Sequence, residues 1–171
     1  MSESYETSHE AMTELWSELD ACRIGMLWMP DSGQHPQPMT HFADPEAQAL
    51  WFITSADTDL VAAVSHGGQA RYTMQSGKGN YHASLTGSLV VYDSDEKIDA
   101  LWSIAMAARF EQGREDPKVT LLKFSPREAA IWASDANPVV VGARMVQAAF
   151  STDCASPEIG HHRVLDLVVP A

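Results

Sequence analysis

Few side chains in this 171-residue chain are grouped so that they could do acid–base or nucleophilic chemistry. There is no Gly-x-Ser-x-Gly, and neither Cys22 nor Cys154 has a histidine placed near it by local sequence. His9, His35, His41, His66 and His82 are scattered, and no spacing gathers them into a site. His161 and His162 are adjacent, but neighbouring residues rarely turn two rings toward one metal ion, and a mobile polar tail is their commoner setting. Ser76-Gly77-Lys78-Gly79-Asn80 lacks the Gly-Lys-Ser/Thr ending and the following helix of a phosphate loop, so it reads as a hairpin turn. Two stretches remain. The run Leu50 to Ser55 reads as a buried strand, and Ala56-Asp57-Thr58-Asp59 carries it into the helical spacing Leu60, Val61, Val64. Strand-end hydroxyls meeting a helix N-terminus form a cup of donors that can hold a phosphate; the more frequent use of such a stretch is an ordinary N-cap. The other is Trp132, at a strand end beside Ser134-Asp135-Ala136-Asn137, where an indole either stacks on a flat ligand or closes a barrel.

The elements that must position these groups are mostly short strands. Thr7-Ser8-His9-Glu10 fits a capping box, followed by Met12, Leu15, Trp16 and Leu19 on one helical face. Cys22 to Met29 reads as a strand closed by the turn Pro30-Asp31-Ser32-Gly33, and Pro36 to Phe42 as a shorter one kept near an edge or bulge by its prolines. With the Leu50–Ser55 strand these predict an antiparallel meander. The short helix stops at His66-Gly67-Gly68, and Ala70–Gln75 and Tyr81–Tyr92 are further strands, the second with Gly87 where a bulge or barrel corner is natural. Ser94-Asp95 caps a helix with Ile98, Leu101, Trp102, Ala105 and Ala108 on one face. After the charged loop Phe110–Pro117, two strands, Val119–Phe124 and Glu128–Ala133, are expected to meet at a Ser125-Pro126 turn. Pro138 starts a last helix with Val141, Met145 and Ala148 inward. Residues 151–171 form a tail in which Val164 to Val169 is a terminal strand or an arm laid on a partner subunit. The pattern predicts a single α+β domain over 1–171, a split antiparallel β-barrel of six or seven strands with covering helices once the resemblance below is added to it.

A formal charge of −12 argues against nucleic acid and disfavours an anionic membrane surface. No apolar run approaches the ~20 residues of a spanning helix, and Met1-Ser2-Glu3-Ser4 lacks the charge and apolar core of a signal peptide. With two cysteines at no metal or paired spacing, a reduced cytoplasmic compartment is expected.

Arg23-Ile24-Gly25-Met26-Leu27, Gln37-Pro38-Met39, Leu50-Trp51-Phe52-Ile53-Thr54, Ser84-Leu85-Thr86-Gly87 and Asp116-Pro117 with Leu121-Leu122-Lys123-Phe124-Ser125-Pro126 and Ile131-Trp132 follow one another at characteristic intervals. Together, from about Thr13 to Phe150, they resemble the bacterial general stress proteins of the pyridoxamine 5′-phosphate oxidase-like group, the FMN-binding split barrels. The resemblance implies a homodimer with two flavin sites at the subunit interface, each lined by both chains. It implies that Gln37, Pro38, Met39 and Thr40 meet the phosphate and ribityl chain, that Thr54 and Ser55 add hydroxyls, and that the loop through Thr58 closes that end. His82 would lie near the flavin ring, and Trp132 would approach the ring from the other subunit. The cofactor implied is FMN, with FAD as a variant; deazaflavin, haem or an empty dimeric module are the alternatives such barrels offer. Relatives commonly carry an arginine where this chain has Gln37 and a lysine near Leu60, while Asp57 and Asp59 add negative charge here. Each lost charge-assisted hydrogen bond costs roughly 1.5–3 kcal/mol, so weaker phosphate binding is expected unless Arg71 or Arg144 compensates.

Overall fold

The first helix, α1, runs Ser2–Ala21 and so begins before the Thr7–Glu10 stretch that reads as its cap; no glycine or proline precedes that stretch to stop the helix extending. The computed structural model describes residues 2–64, 66–103, 108–134 and 161–167, with side chains from Ser8 onward. The helix expected from Pro138, its Val141, Met145 and Ala148, and also Ala105, Arg144 and Cys154, lie outside the described residues. The strands are β1 (Ile24–Trp28), β2 (Gln37–Thr40), β3 (Phe42–Asp44), β4 (Ala49–Ser55), β5 (Gly68–Gln75), β6 (Tyr81–Tyr92), β7 (Val119–Ala133) and β8 (His161–Asp166). Two short helices, α2 (Asp59–Val64) and α3 (Asp95–Leu101), complete the described elements that bear on the site.

All pairings are antiparallel, in the order β2-β1-β5-β6-β7-β4-β3, with β8 beside β7. The expected meander is therefore wrong in one respect: β2 pairs with β1, but the third strand does not pair with β2. The segment read as one strand from Pro36 to Phe42 breaks at His41, whose backbone N–H turns to the Arg23 carbonyl at 2.8 Å. Its two halves end at opposite edges of one sheet, which curls the sheet into a barrel left open between β2 and β3. The fold is an α+β split barrel. His41 is fully buried, with Nδ1 2.5 Å from the Tyr72 hydroxyl and Nε2 2.8 Å from the Leu19 carbonyl. The carbonyl can only accept, so Nε2 carries the proton and Nδ1 accepts from Tyr72. A neutral ring thus ties the strand break to α1 and to the barrel interior. Gly25 leaves room for this arrangement, since a Cβ there would strike the Tyr72 ring and the Thr73 carbonyl.

The two strands expected around Ser125-Pro126 are one, β7, running 15 residues. Proline is accommodated because it sits at a bulge, where the ladder needs no N–H from it. Register against β6 shifts between Thr86 and Gly87, leaving Arg127 as the extra residue, and the Arg127 carbonyl accepts instead from the Leu167 N–H at 2.8 Å. Gly87 faces this irregularity as its sequence position suggests, with no space for a Cβ against the Ser125 backbone.

Inside the barrel, Leu27, Phe52, Tyr72, Leu85, Leu122 and Phe124 pack with Leu15 and Leu19 of α1. A second, smaller cluster lies on the outer side of β4 and the start of β7, where Trp51, Ile53 and Leu121 are covered by Ile98 of α3 and by Phe110. The Trp51 indole N–H donates to Asp44 at 3.1 Å; Lys97 pairs with the same carboxylate at 2.6 Å and stands 4.8 Å over the ring.

Candidate functional site

Several donors of the strand-to-helix cup are bonded within the chain. Thr58 caps α2: its Oγ accepts the Val61 N–H at 3.3 Å and its carbonyl the Ala62 N–H at 3.1 Å. Its own N–H and hydroxyl both go to the Ser55 carbonyl. The Ala56 N–H is spent on Lys118 O at 2.7 Å, and the Lys118 ammonium holds Asp57 at 2.9 Å. The Ser55 hydroxyl and Lys118 together keep the Asp57 carboxyl below its ordinary range. This is the geometry of an N-cap. Leu60, which the resemblance sets near a lysine position, is buried in the barrel core and offers no place for a cation.

The strand Gln37–Thr40 divides by parity. Gln37 pairs with the buried Leu27, and Met39 packs against the barrel core, so Pro38 and Thr40 turn to the outer face. That face is organised in rows across five or six strands. In one, Thr40 pairs with Ile24, Gln75 with His82, His82 with Trp132, and Trp132 with His162. The next runs Pro38, Met26, Thr73, Ser84, Ala130, Val164. The third runs Trp28, Arg71, Thr86, Glu128, Asp166, with Arg71 the sole arginine or lysine of the three rows. Four of the residues expected at the site, Pro38, Thr40, His82 and Trp132, therefore share one surface. Thr54, Ser55 and Thr58 do not: Thr54 pairs with Thr120, at the opposite end of β7 from Trp132.

This outer face carries four large apolar side chains open to water among its polar ones. Ile24 is 63% exposed, Met26 38%, Trp132 47% and Val164 57%. A groove of about 480 Å³ runs along it, lined by Ile24, Met26, Thr73, His82, Ser84 and Trp132. His161 and His162, expected in a mobile tail, lie in β8, where alternation puts them on opposite sides of the strand. His162 stacks on Trp132 with ring centroids 4.9 Å apart at 27°. Ile24, Met26, Thr73 and Ser84 were not among the residues expected at the site, and His162 was weighed only as a metal ligand. The available signal was β1 itself: Ile24-Gly25-Met26-Leu27-Trp28 is apolar at every position, whereas a strand with one wetted face alternates. Among the described residues, no group of three or more His, Cys, Asp or Glu could hold a metal ion, and no helix is long and apolar enough to cross a membrane.

Residues 10–154 match the family described as pyridoxamine 5′-phosphate oxidase like. The chain belongs to this family. Among solved structures it is similar to a putative general stress protein 26 from Jannaschia, with 28% identity, TM-score 0.78, and coverage of 93% of this chain and 99% of that one. It is likewise similar to the general stress FMN/FAD binding protein of Xanthomonas citri, with 29% identity, TM-score 0.70, and 75% and 92% coverage. A putative general stress family protein from Xanthomonas campestris matches at 30% identity, TM-score 0.69, over 75% and 90%. No curated protein matches the chain.

Proposed function

We propose that the protein is a flavin-binding general stress protein that works as a homodimer, with FMN (or FAD) held where the open outer face of one subunit meets its partner. The observation that carries this reading is the apolar, groove-bearing face of Ile24, Met26, Trp132 and Val164, which water alone does not stabilise. The similarity to an FMN/FAD binding relative supports it. In this reading Trp132 and His82 meet the flavin ring, while Pro38 and Thr40, with the backbone at Gln37 and Met39, meet the ribityl end. Thr54, Ser55 and Thr58 lie off this face within one subunit, so in this reading they border the phosphate from the other subunit, each site being lined by both chains. Arg71, exposed and in register with Trp28 and Thr86, supplies the cation that Gln37 and Leu60 do not. The ring brings the redox chemistry, and the side chains bind and orient it. The chain then stores flavin or serves as a flavin-dependent oxidoreductase in the cytoplasm. Pyridoxamine phosphate oxidation is not expected, because that substrate's own phosphate needs cationic partners as well.

A second reading, a dimeric module without cofactor, is favoured by the cup at Thr54–Thr58, which is folded as an N-cap with the Ala56 and Thr58 N–H groups and the Thr58 hydroxyl bonded within the chain, beside a buried Leu60. Absorbance of the purified protein after incubation with FMN and desalting separates the two. Retained bands at about 370 and about 450 nm, a property of the flavin itself, support the first reading, and other visible bands point to deazaflavin or haem. Aromatic absorption alone supports the empty module.

A further inference from the structure

We infer that β8 is an added wall of the ring site and that His162 is the residue that positions the Trp132 indole. The family match ends at residue 154, whereas β8 begins at His161, so this strand lies beyond the matched module. It nevertheless pairs with β7 along the six residues Glu128 to Ala133 and sets His162 directly across from Trp132. The rings lie 4.9 Å apart and nearly parallel at 27°. Leu165 and Leu167 anchor the same strand in the barrel core, and the Leu167 N–H is tied to the bulge carbonyl of Arg127, so the imidazole is carried by a fixed element.

The consequence for recognition follows from geometry. An indole has two faces, and a planar ligand can stack on either. With His162 on one, Trp132 presents a single face, and it cannot swing toward β8 because the imidazole fills that space. His82, the cross-strand partner on the other side of Trp132, marks where the remaining face opens. The site therefore takes one planar ring per indole, at an orientation set by the chain itself before any ligand arrives, and preorganisation of this kind raises affinity without a new contact. This assignment rests on the flavin reading for the identity of the ring, but the positioning of Trp132 by His162 is a property of the free protein.

The test uses the full chain and its variants His162→Ala and His162→Phe, checked for native folding by far-ultraviolet circular dichroism. Acrylamide quenching is read for Trp132 by subtracting a Trp132→Phe variant, and FMN affinity is read by titration. His162→Ala should raise quencher access to Trp132 and weaken FMN binding by about three- to tenfold, the span of one lost ring pair, while His162→Phe should keep both within about twofold of the wild type. Unchanged quencher access in His162→Ala overturns the proposal, as does wild-type FMN affinity in that variant. If the wild-type chain binds no FMN, the flavin reading falls instead, and quencher access alone still decides whether His162 positions the indole.

Discussion

Two parts of the barrel's outer surface are built from the same kinds of residue and end differently. Over β4 and the start of β7, Trp51, Ile53 and Leu121 are roofed by Ile98 and Phe110 from the chain's own α3 and loop. Over β1 and the end of β7, Ile24 and Met26 stay open, and Trp132 is covered on one side only, by His162 of β8. A tryptophan in the first region is 4% exposed and in the second 47%. Apolar side chains in a strand thus do not say whether they are core. What decides is whether a later segment returns to cover them. Where none does, the surface is available to a partner chain or a flat ligand.

The comparison breaks most visibly in the covered parts. Leu60→Lys, which would restore a family-like cation, places an ammonium in the barrel core, and Trp51→Ala empties a large buried site. Each should lower stability in urea unfolding by about 3–5 kcal/mol, the usual range for a large cavity or an unpaired buried charge. Native-like stability of Leu60→Lys would mean that its ammonium reaches solvent and that the phosphate cation could sit there after all.

On the open face the expected loss is of association. Met26→Asp introduces a charge in the middle row of the proposed interface without touching the barrel core. It should weaken the dimer by at least about 2 kcal/mol, or about thirtyfold, in sedimentation equilibrium, because a carboxylate would be desolvated there, while leaving monomer unfolding nearly unchanged. A wild-type chain that is already a stable monomer at micromolar concentration would remove the dimer and the shared site together.

His41 is where the chain passes from the open region to the covered one, with β2 on one side and β3 on the other. Burial pushes its pKa below the ordinary 6.5, an effect that the hydrogen bond to the Leu19 carbonyl and Asp20 partly offset and Arg23 reinforces. Above 6.5 both folded and unfolded states hold the ring neutral, so it adds no pH dependence. As pH falls through 6.5 the unfolded chain takes up a proton that the folded one refuses, and stability is lost until the depressed folded pKa is reached. The slope from one group is at most about 1.4 kcal/mol per pH unit. Urea unfolding at a series of pH values should show this slope in the wild type and a flatter one in His41→Asn; parallel curves would mean that His41 is not the group responsible.

How much of this was legible beforehand depended on range. Several local signals held: the barrel class, the cap at Ser94, which accepts from Lys97 N–H at 3.1 Å, and the irregularity at Gly87. Others did not: α1 runs through the Thr7–Glu10 stretch, and α3 stops at Leu101, where Trp102 turns extended, short of the expected Ala108. The larger failures were long-range. Nothing within Pro36–Phe42 states that His41 will be drawn inward by Tyr72, 31 residues on, and will split the strand. Ser125-Pro126 looks like a turn unless the opposing Gly87 is known to leave room for a bulge. The candidate site was half legible: alternation alone separates Pro38 and Thr40 from Gln37 and Met39 once the buried partner Leu27 is known, and the N-cap reading of Thr58 needed only its neighbours. The row joining Thr40 to Trp132 was not, because it exists only after β1, β5 and β6 are interposed in register.

The finest separation of the two regions sets Trp132 against Trp51. Truncating Trp51 should act on folding, as argued above. Trp132 stands nearly half exposed, stacked on His162 and lining the groove, so its truncation leaves little cavity. Trp132→Ala should therefore cost less than about 1 kcal/mol in urea unfolding, the loss of one partly exposed ring pair. Its effect on FMN affinity should be about 0.5–1.5 kcal/mol for the aromatic pair, and Trp132→Phe should recover most of that because a flat face remains. The opposite pattern, a loss of stability as large as that of Trp51→Ala with FMN affinity intact, would make Trp132 a plug of the barrel end. Partial exposure argues against a plug, since a side chain that closes a core excludes water from both of its faces, and here water or a ligand reaches the one that His162 leaves open.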